Sequence, residues 1–259
     1  MIYFVGAGPG DPELISVKGH KLLQHARCIV YAGSLVNPEL LKLAPDQCPI
    51  FNSAQMHLEE IVETLLRYDK SPDDCVVRLH TGDPSLFGAI QEQMRLLDKA
   101  GHSYKVIPGI SSFTAAAASL KTELTLPELS QTVVISRVAG ATPVPSAQGI
   151  ANLARLDATY CFFLSVALID SLEQELIQAG LDPKTPAALV YKASWKEEKI
   201  LRCSLDQLAH YAHEYELKAT TMILVGKVLG QTTDFEASQL YNKHFSHACR
   251  KAVDCFEDE

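Results

Sequence analysis

Short apolar runs alternate with amphipathic stretches along the first half of the chain. Ile2–Val5, Cys28–Tyr31, Cys75–His80 and Tyr104–Ile107 are apolar or β-branched and bounded by turn residues, the pattern of buried strands. Between them the apolar positions fall on helical faces. Ile15, Leu22, Leu23 and Ala26 form one stripe, and Leu58, Ile61, Val62 and Leu65 form another at i, i+3, i+4, i+7. A third helix is predicted over Phe87–Lys99, with Ser85 as its N-cap and Gly101 at a C′ position. Strand–helix alternation of this kind predicts a parallel sheet covered on both faces.

The texture changes after Pro108-Gly109. Thr114–Leu120 holds the alanine run Ala115–Ala118, and an irregular stretch follows as far as Pro127. A second alternation then begins, with strands predicted at Thr132–Arg137, Tyr160–Leu164, Ala187–Tyr191 and Met222–Gly226 and a helix over Ile169–Ala179. Val138–Gly149, with Pro143 and Pro145, reads as a loop. The fold class is α/β, as two α/β domains spanning residues 1–118 and 129–230. Residues 231–259 form an acidic tail, expected as a frayed appendage with a short helix around Leu240.

Composition narrows the function. Hydrophobic residues make up 47% of the 259 and charged residues 21%, enough for a sizeable core. No apolar run approaches the ~20 residues of a membrane span. Ile2–Val5 is too short for a signal peptide and runs into glycine. The seven cysteines are widely spaced with no CxxC pair, the pattern of a reducing compartment. A soluble cytoplasmic protein without membrane attachment is expected. The net charge of −8 argues against nucleic acid as a partner, yet leaves room for an anionic small molecule held by a local basic patch. No metal is expected, since His244, His247, Cys249 and Cys255 fit no standard finger spacing.

The candidate chemistry sits in loops at the carboxyl ends of strands, where open α/β sheets place their ligands. The first loop is Val5-Gly6-Ala7-Gly8-Pro9-Gly10-Asp11-Pro12. Its G-x-G-x-G spacing departs from the dinucleotide fingerprint G-x-G-x-x-G. Pro9 and Pro12 remove N–H donors, and Asp11 puts a negative charge where a phosphate would sit. A nicotinamide-dependent oxidoreductase is therefore disfavoured. The second loop is Arg78-Leu79-His80-Thr81-Gly82-Asp83-Pro84-Ser85-Leu86-Phe87-Gly88, in which Asp83 can cap the local backbone or accept hydrogen bonds from a ligand amine or ribose. The third, Val106-Ile107-Pro108-Gly109-Ile110-Ser111-Ser112-Phe113, leads into the alanine run.

Taken together, VGAGPGDPELIS, RLHTGDPSLFGAI and VIPGISSFTAAAA resemble the tetrapyrrole methylase family over about residues 1–230. Tyr31–Leu41, Ser111–Arg137, Tyr191–Ile200 and Thr221–Gly226 are similar to the branch that methylates precorrin-4, or its cobalt complex, at C11. The resemblance implies a homodimer and a methyl donor, S-adenosylmethionine, held in a cleft between the two domains, with S-adenosylhomocysteine as product. By motif position it implies donor contacts at Pro9, Thr81, Gly82, Asp83, Leu86, Ser111 and Ser112. In the second half the implied contacts are Leu164, Ala193, Thr221 and Met222. Uroporphyrinogen-III methyltransferases carry an Asp after the second strand and a Lys further on. Here those regions read Ala32-Gly33 and Phe51-Asn52-Ser53-Ala54-Gln55, which disfavours that reaction and leaves no general base named. Another corrin carbon, or a diphthine-synthase-type reaction, are the alternatives within the family.

A tetrapyrrole substrate bearing acetate and propionate arms calls for Arg and Lys donors. Arg78, Arg137 and Lys192 are the favoured candidates, ahead of Lys121 and Lys196. Trp195 follows the third of these and can line the site or pack in the core.

Overall fold

A computed structural model describes residues 1–230 and 241–252. The chain divides into two compact units. One comprises Met1–Ser119 together with Val190–Lys199, and the other Leu120–Leu189 with the described residues from Ile200 onward.

The first unit is built on five strands, β1 (Ile2–Gly6), β2 (Cys28–Tyr31), β3 (Ile50–Asn52), β4 (Val76–His80) and β5 (Tyr104–Ile107), in the order β3-β2-β4-β1-β5. Every pairing is parallel, as the strand–helix alternation predicts. Three helices accompany the strands: α1 (Val17–Gln24), α2 (Leu58–Tyr68) and α3 (Ile90–Lys99). Because side chains alternate along a strand, each face gets its own core. Val5, Ile29, Val77, Leu79 and Ile107 pack with Leu23 of α1 and Ala26 beyond it. Ile2, Phe4, Cys28, Val30 and Val76 pack with Ile61, Val62 and Leu65 of α2 and Leu97 of α3. Each such side chain taken from water contributes about 1.5–3 kcal/mol. Local signals start the helices: the Ser16 hydroxyl accepts the Gly19 N–H at 3.0 Å, and the Glu60 carboxylate accepts the His57 N–H at 2.7 Å.

Two local expectations require correction. Strand β3 carries only Ile50 and Phe51 as apolar residues and forms the sheet edge, so its run is too short to register as a strand. The helix expected from Phe87 starts at Ile90 instead. Phe87 and Ala89 take left-handed backbone (φ 55° and 48°), which breaks the helix before its first turn, so Ser85 is not its N-cap. At the other end Gly101 does adopt the left-handed C′ conformation (φ 73°).

Helix α4 (Ser112–Leu120) ends the first stretch of this unit. The second unit carries the order β6-β7-β10-β8-β9, from β6 (Val133–Ser136), β7 (Thr159–Phe162), β8 (Pro186–Tyr191), β9 (Lys199–Ser204) and β10 (Thr221–Val225). It is a mixed sheet: β6 and β7 are parallel, whereas β10 runs antiparallel to β7. The short α5 (Ile150–Leu153), α6 (Ile169–Gln178) and α7 (Leu208–Glu214) cover one face. There Tyr160, Phe162, Leu189, Ile223 and Val225 meet Ile150, Ile169, Leu172, Leu176, Leu208 and Ala212. Strand β9, unmarked by the hydrophobic pattern, is an edge strand with charged Lys199 and Arg202 in its run.

The tail's expected helix around Leu240 lies outside the described residues. Among the described residues no helix is long and apolar enough to cross a membrane.

Candidate functional site

The three strand-end loops of the first unit lock together through their glycines. Gly8 and Gly82 pair as an antiparallel bridge, with Gly82 N–H donating to the Gly8 carbonyl at 2.8 Å and the return bond at 3.3 Å. A Cβ on Gly6 would lie 2.6 Å from both the Gly109 Cα and the Gly82 carbonyl oxygen. A Cβ on Gly109 would lie 2.2 Å from that same oxygen, so no side chain fits at either position. Gly8 and Gly82 also take positive φ (79° and 59°), which glycine alone adopts at no steric cost. Three separate loops thus bring bare backbone to one point at the carboxyl end of the sheet.

Asp83 fastens the second loop to the third. One carboxylate oxygen accepts the Ser85 N–H at 2.8 Å and the Ser85 hydroxyl, while the other accepts the Gly109 N–H at 2.9 Å. Burial pushes this carboxyl up, but the hydrogen bonds from the Ser85 hydroxyl, Gly109 and the Ser85 amide outweigh it and hold the group below its ordinary value. It is a carboxylate at neutral pH. Those three donors take three of about four lone-pair sites, so about one is left for a ligand.

The first loop is clamped from the Val190–Lys199 stretch. Trp195 donates its indole N–H to the Pro9 carbonyl at 2.9 Å, and its ring lies where a Gly10 Cβ would be. The Asp11 N–H donates to the Ser194 hydroxyl at 3.0 Å, and the Asn37 amide donates to the Gly10 carbonyl at 2.8 Å. Glu198 holds the turn by accepting from the Ser194 N–H at 2.6 Å and from the Ser119 hydroxyl at 2.7 Å. Lys192 and Ser194 carry positive φ (49° and 69°), a costly conformation that these contacts sustain. Ala193, between them, is 4% exposed.

Of the residues implied as donor contacts, Pro9, Thr81, Gly82, Asp83, Leu86, Ser111, Ser112 and Ala193 belong to the first unit. Ser111 and Ser112 stand beside Gly82, whose Cβ would lie 3.8 Å from the Ser111 Cα and 3.9 Å from the Ser112 nitrogen. Leu164, Thr221 and Met222 belong to the second unit. Leu164 follows β7, is 68% exposed and has positive φ (53°), while Thr221 and Met222 open β10 and are buried.

The basic candidates separate by environment. Arg137 donates to the carbonyls of Val138, Thr142 and Pro143, tying down its own loop. Lys192 stands 3.6 Å from Glu197 and over the Trp195 ring. Arg78 differs from both: it is 4% exposed and donates only to neutral oxygens, the Gln93 side chain at 3.0 Å and the Val30 carbonyl at 3.2 Å. Burial lowers its pKa to about 10, so it remains a cation. Two residues on, on the same face of β4, His80 is equally buried and its Nε2 has no hydrogen-bond partner among the described residues. Burial, helped by the Arg78 charge, pushes its pKa down to about 3. Sequence reasoning passed over His80. Its one signal was a titratable residue at an inward position of a strand, next to the loop.

The family model of the Tetrapyrrole (Corrin/Porphyrin) Methylases matches residues 1–209. This chain is a tetrapyrrole methylase. It is 48% identical over 251 residues to the cobalt-precorrin-4 C(11)-methyltransferase of Methanocaldococcus jannaschii, covering 97% of this methylase and 96% of the relative. Its fold is similar to the X-ray structure of a cobalamin biosynthetic enzyme, cobalt-precorrin-4 methyltransferase. There the TM-score is 0.86 at 43% identity, over 88% of this methylase and 95% of that chain. It is also similar to the uroporphyrin-III C-methyltransferase of Thermus thermophilus complexed with S-adenosylhomocysteine, at TM-score 0.74 and 30% identity over 91% and 96% of the two chains. Methyl transfer, expected from the family resemblance, agrees with these relatives.

Proposed function

We propose that the chain transfers the methyl group of S-adenosylmethionine to C11 of precorrin-4 or its cobalt complex, a step of cobalamin biosynthesis. The observation that carries this is the near-full-length similarity to a cobalt-precorrin-4 C(11)-methyltransferase, 48% identical over 97% of the chain. The donor supplies an electrophilic methyl on a sulfonium: the S–CH3 bond breaks as the ring carbon bonds to the methyl, S-adenosylhomocysteine leaves, and a proton passes from the ring to water.

The glycine cradle suits such a donor. Bare backbone from three loops lets the ligand approach closely, and a carboxylate with about one free lone-pair site is at hand in Asp83. In this reading Pro9, Thr81, Gly82, Asp83, Leu86, Ser111, Ser112 and Ala193 bind the donor from the first unit, and Leu164, Thr221 and Met222 from the second. The chain's task is alignment and exclusion of water, since an electron-rich ring carbon attacks in line without a strong base. The reading needs no metal of the enzyme's own, nor nucleic acid or membrane, and includes a homodimer working in the cytoplasm.

The test is a methyl-transfer assay with labelled donor and cobalt-precorrin-4 or precorrin-4, followed by NMR location of the new methyl carbon. A methyl at another ring carbon overturns the regiochemistry. Tight NAD binding without S-adenosylhomocysteine binding overturns the methyltransferase reading altogether. Asp83→Ala is expected to weaken S-adenosylhomocysteine at least about tenfold, the loss of one charged hydrogen bond, in a chain that still folds. Unchanged affinity removes Asp83 from the donor site.

A further inference from the structure

Arg78 and His80 line a cavity of about 450 Å³ in the first unit, together with Leu58, Leu86, Gln93 and Glu92 among others. That volume lies within the range of small-molecule pockets, about 300–1,000 Å³. The cavity is bounded by the carboxyl half of β4, by α2 and by the start of α3, and it shares Thr81 and Leu86 with the donor-loop residues. Its polar groups are unbalanced in one direction. Arg78 is a buried cation whose only partners among the described residues are a side-chain amide oxygen and a backbone carbonyl. His80, 4% exposed, presents an Nε2 with no hydrogen-bond partner among the described residues. A buried charge without a counter-ion and an orphaned buried nitrogen each cost free energy, and a ligand carboxylate that pairs with both offsets that cost.

We propose that this cavity receives one carboxylate-bearing arm of the tetrapyrrole, its oxygens taking N–H donors from the Arg78 guanidinium and from Nε2 of His80. The inference rests on the methyltransferase reading above and adds to it where one arm of the substrate goes. A neutral imidazole in the Nε2–H tautomer donates to a carboxylate without having to be charged. Leu58, Ile61 and Leu86 supply apolar wall for the methylenes of the arm. Glu92, exposed on the first turn of α3, is the acidic member of the lining. Its repulsion favours seating the carboxylate on the buried cation, away from that side.

The probe is uroporphyrin III, a tetrapyrrole polycarboxylate, with its fully esterified form as the uncharged control. Both are titrated fluorimetrically against the full chain saturated with S-adenosylhomocysteine. The acid is expected to bind about tenfold or more tightly than the ester, the scale of one charged hydrogen bond. Gln93→Glu places a carboxylate on Arg78 from within the fold without opening a hole, at the loss of the bond that the Gln93 amide donates to the Ala89 carbonyl at 3.1 Å. It is expected to weaken the acid by about tenfold while leaving S-adenosylhomocysteine within about twofold. Arg78→Gln is expected to act in the same direction, and His80→Asn more weakly, by about threefold. If the variants keep wild-type affinity for the acid, the pocket assignment is wrong and the methyltransferase reading stands. If the wild-type chain binds S-adenosylhomocysteine but no tetrapyrrole acid, the assignment and the substrate reading fall together.

Discussion

The two units solve the problem of buried polar groups differently. In the second, each buried hydroxyl has a partner: Ser130 donates to the Thr132 carbonyl, Thr159 to Leu124, Ser165 to Phe163 and Thr221 to Lys218. In the first, β4 buries a cation without a counter-ion and an imidazole nitrogen without a partner, just before the loop that forms the glycine cradle. Local rules are satisfied where a region only supports and are broken where a ligand is to complete it. The first unit is accordingly the one expected to change under ligand, acid or a single added methyl group.

The comparison can be broken most forcefully from the supporting side. Leu172→Ala empties a fully buried position in the second unit's core and is expected to cost about 2–5 kcal/mol in urea unfolding. S-adenosylhomocysteine affinity of the folded fraction should be unchanged, and a parallel loss of affinity would show that the division of labour is false. Gly109→Ala is the converse. Its Cβ would sit 2.2 Å from the Gly82 carbonyl oxygen, so the loops must part. We expect about 1–3 kcal/mol of destabilisation, together with at least about tenfold weaker S-adenosylhomocysteine by calorimetry.

Acid discriminates next. His80 has its folded pKa depressed to about 3 from 6.5 by burial and by Arg78. The unfolded chain therefore binds a proton there that the folded chain refuses. This contribution to stability is complete above 6.5 and is lost as pH falls toward the folded value, at about 1.4 kcal/mol per pH unit. His80→Asn should flatten the acid limb of a stability–pH curve, and an unaltered limb would mean that His80 is not held neutral. The smallest effect belongs to the clamp. Trp195→Phe keeps most of the ring over Gly10 but removes the bond to Pro9, for about 0.5–1.5 kcal/mol. Donor affinity should fall only slightly, as a paired calorimetric titration would show.

Much of the architecture was legible because the central strands announce themselves. Ile2–Gly6 and Val76–His80 are buried on both faces, and the first reads as a continuous apolar run while the second is apolar apart from Arg78 and His80. Ile50–Asn52 and Lys199–Ser204 lie at sheet edges, where one side of the strand needs no apolar cover, and the pattern fades there. The mixed pairing of the second sheet was hidden too, because alternation of strands with helices does not encode the direction of β10 against β7. The three loops were recognisable by their glycines, and the structure gives two reasons for them: Gly6 and Gly109 each make room for the other's backbone and for the Gly82 carbonyl, while Gly82 itself takes a positive φ. What the sequence could not reveal was Asp83 tying Gly109, or Trp195 reaching Pro9, since both depend on segments distant along the chain. The unpartnered Nε2 of His80 was equally invisible, because an unsatisfied nitrogen is a property of its surroundings among the described residues and not of a motif.

The clamp has an optical consequence. The chain contains a single tryptophan, and its indole is hydrogen-bonded to the very loop proposed to meet the donor. Indole emission shifts with the polarity and hydrogen bonding of its surroundings, so the protein carries an unlabelled gauge of that loop. A blue or red displacement of the emission maximum on adding S-adenosylhomocysteine would record, in real time, whether Pro9 and Gly10 stay seated against Trp195 or move away from it.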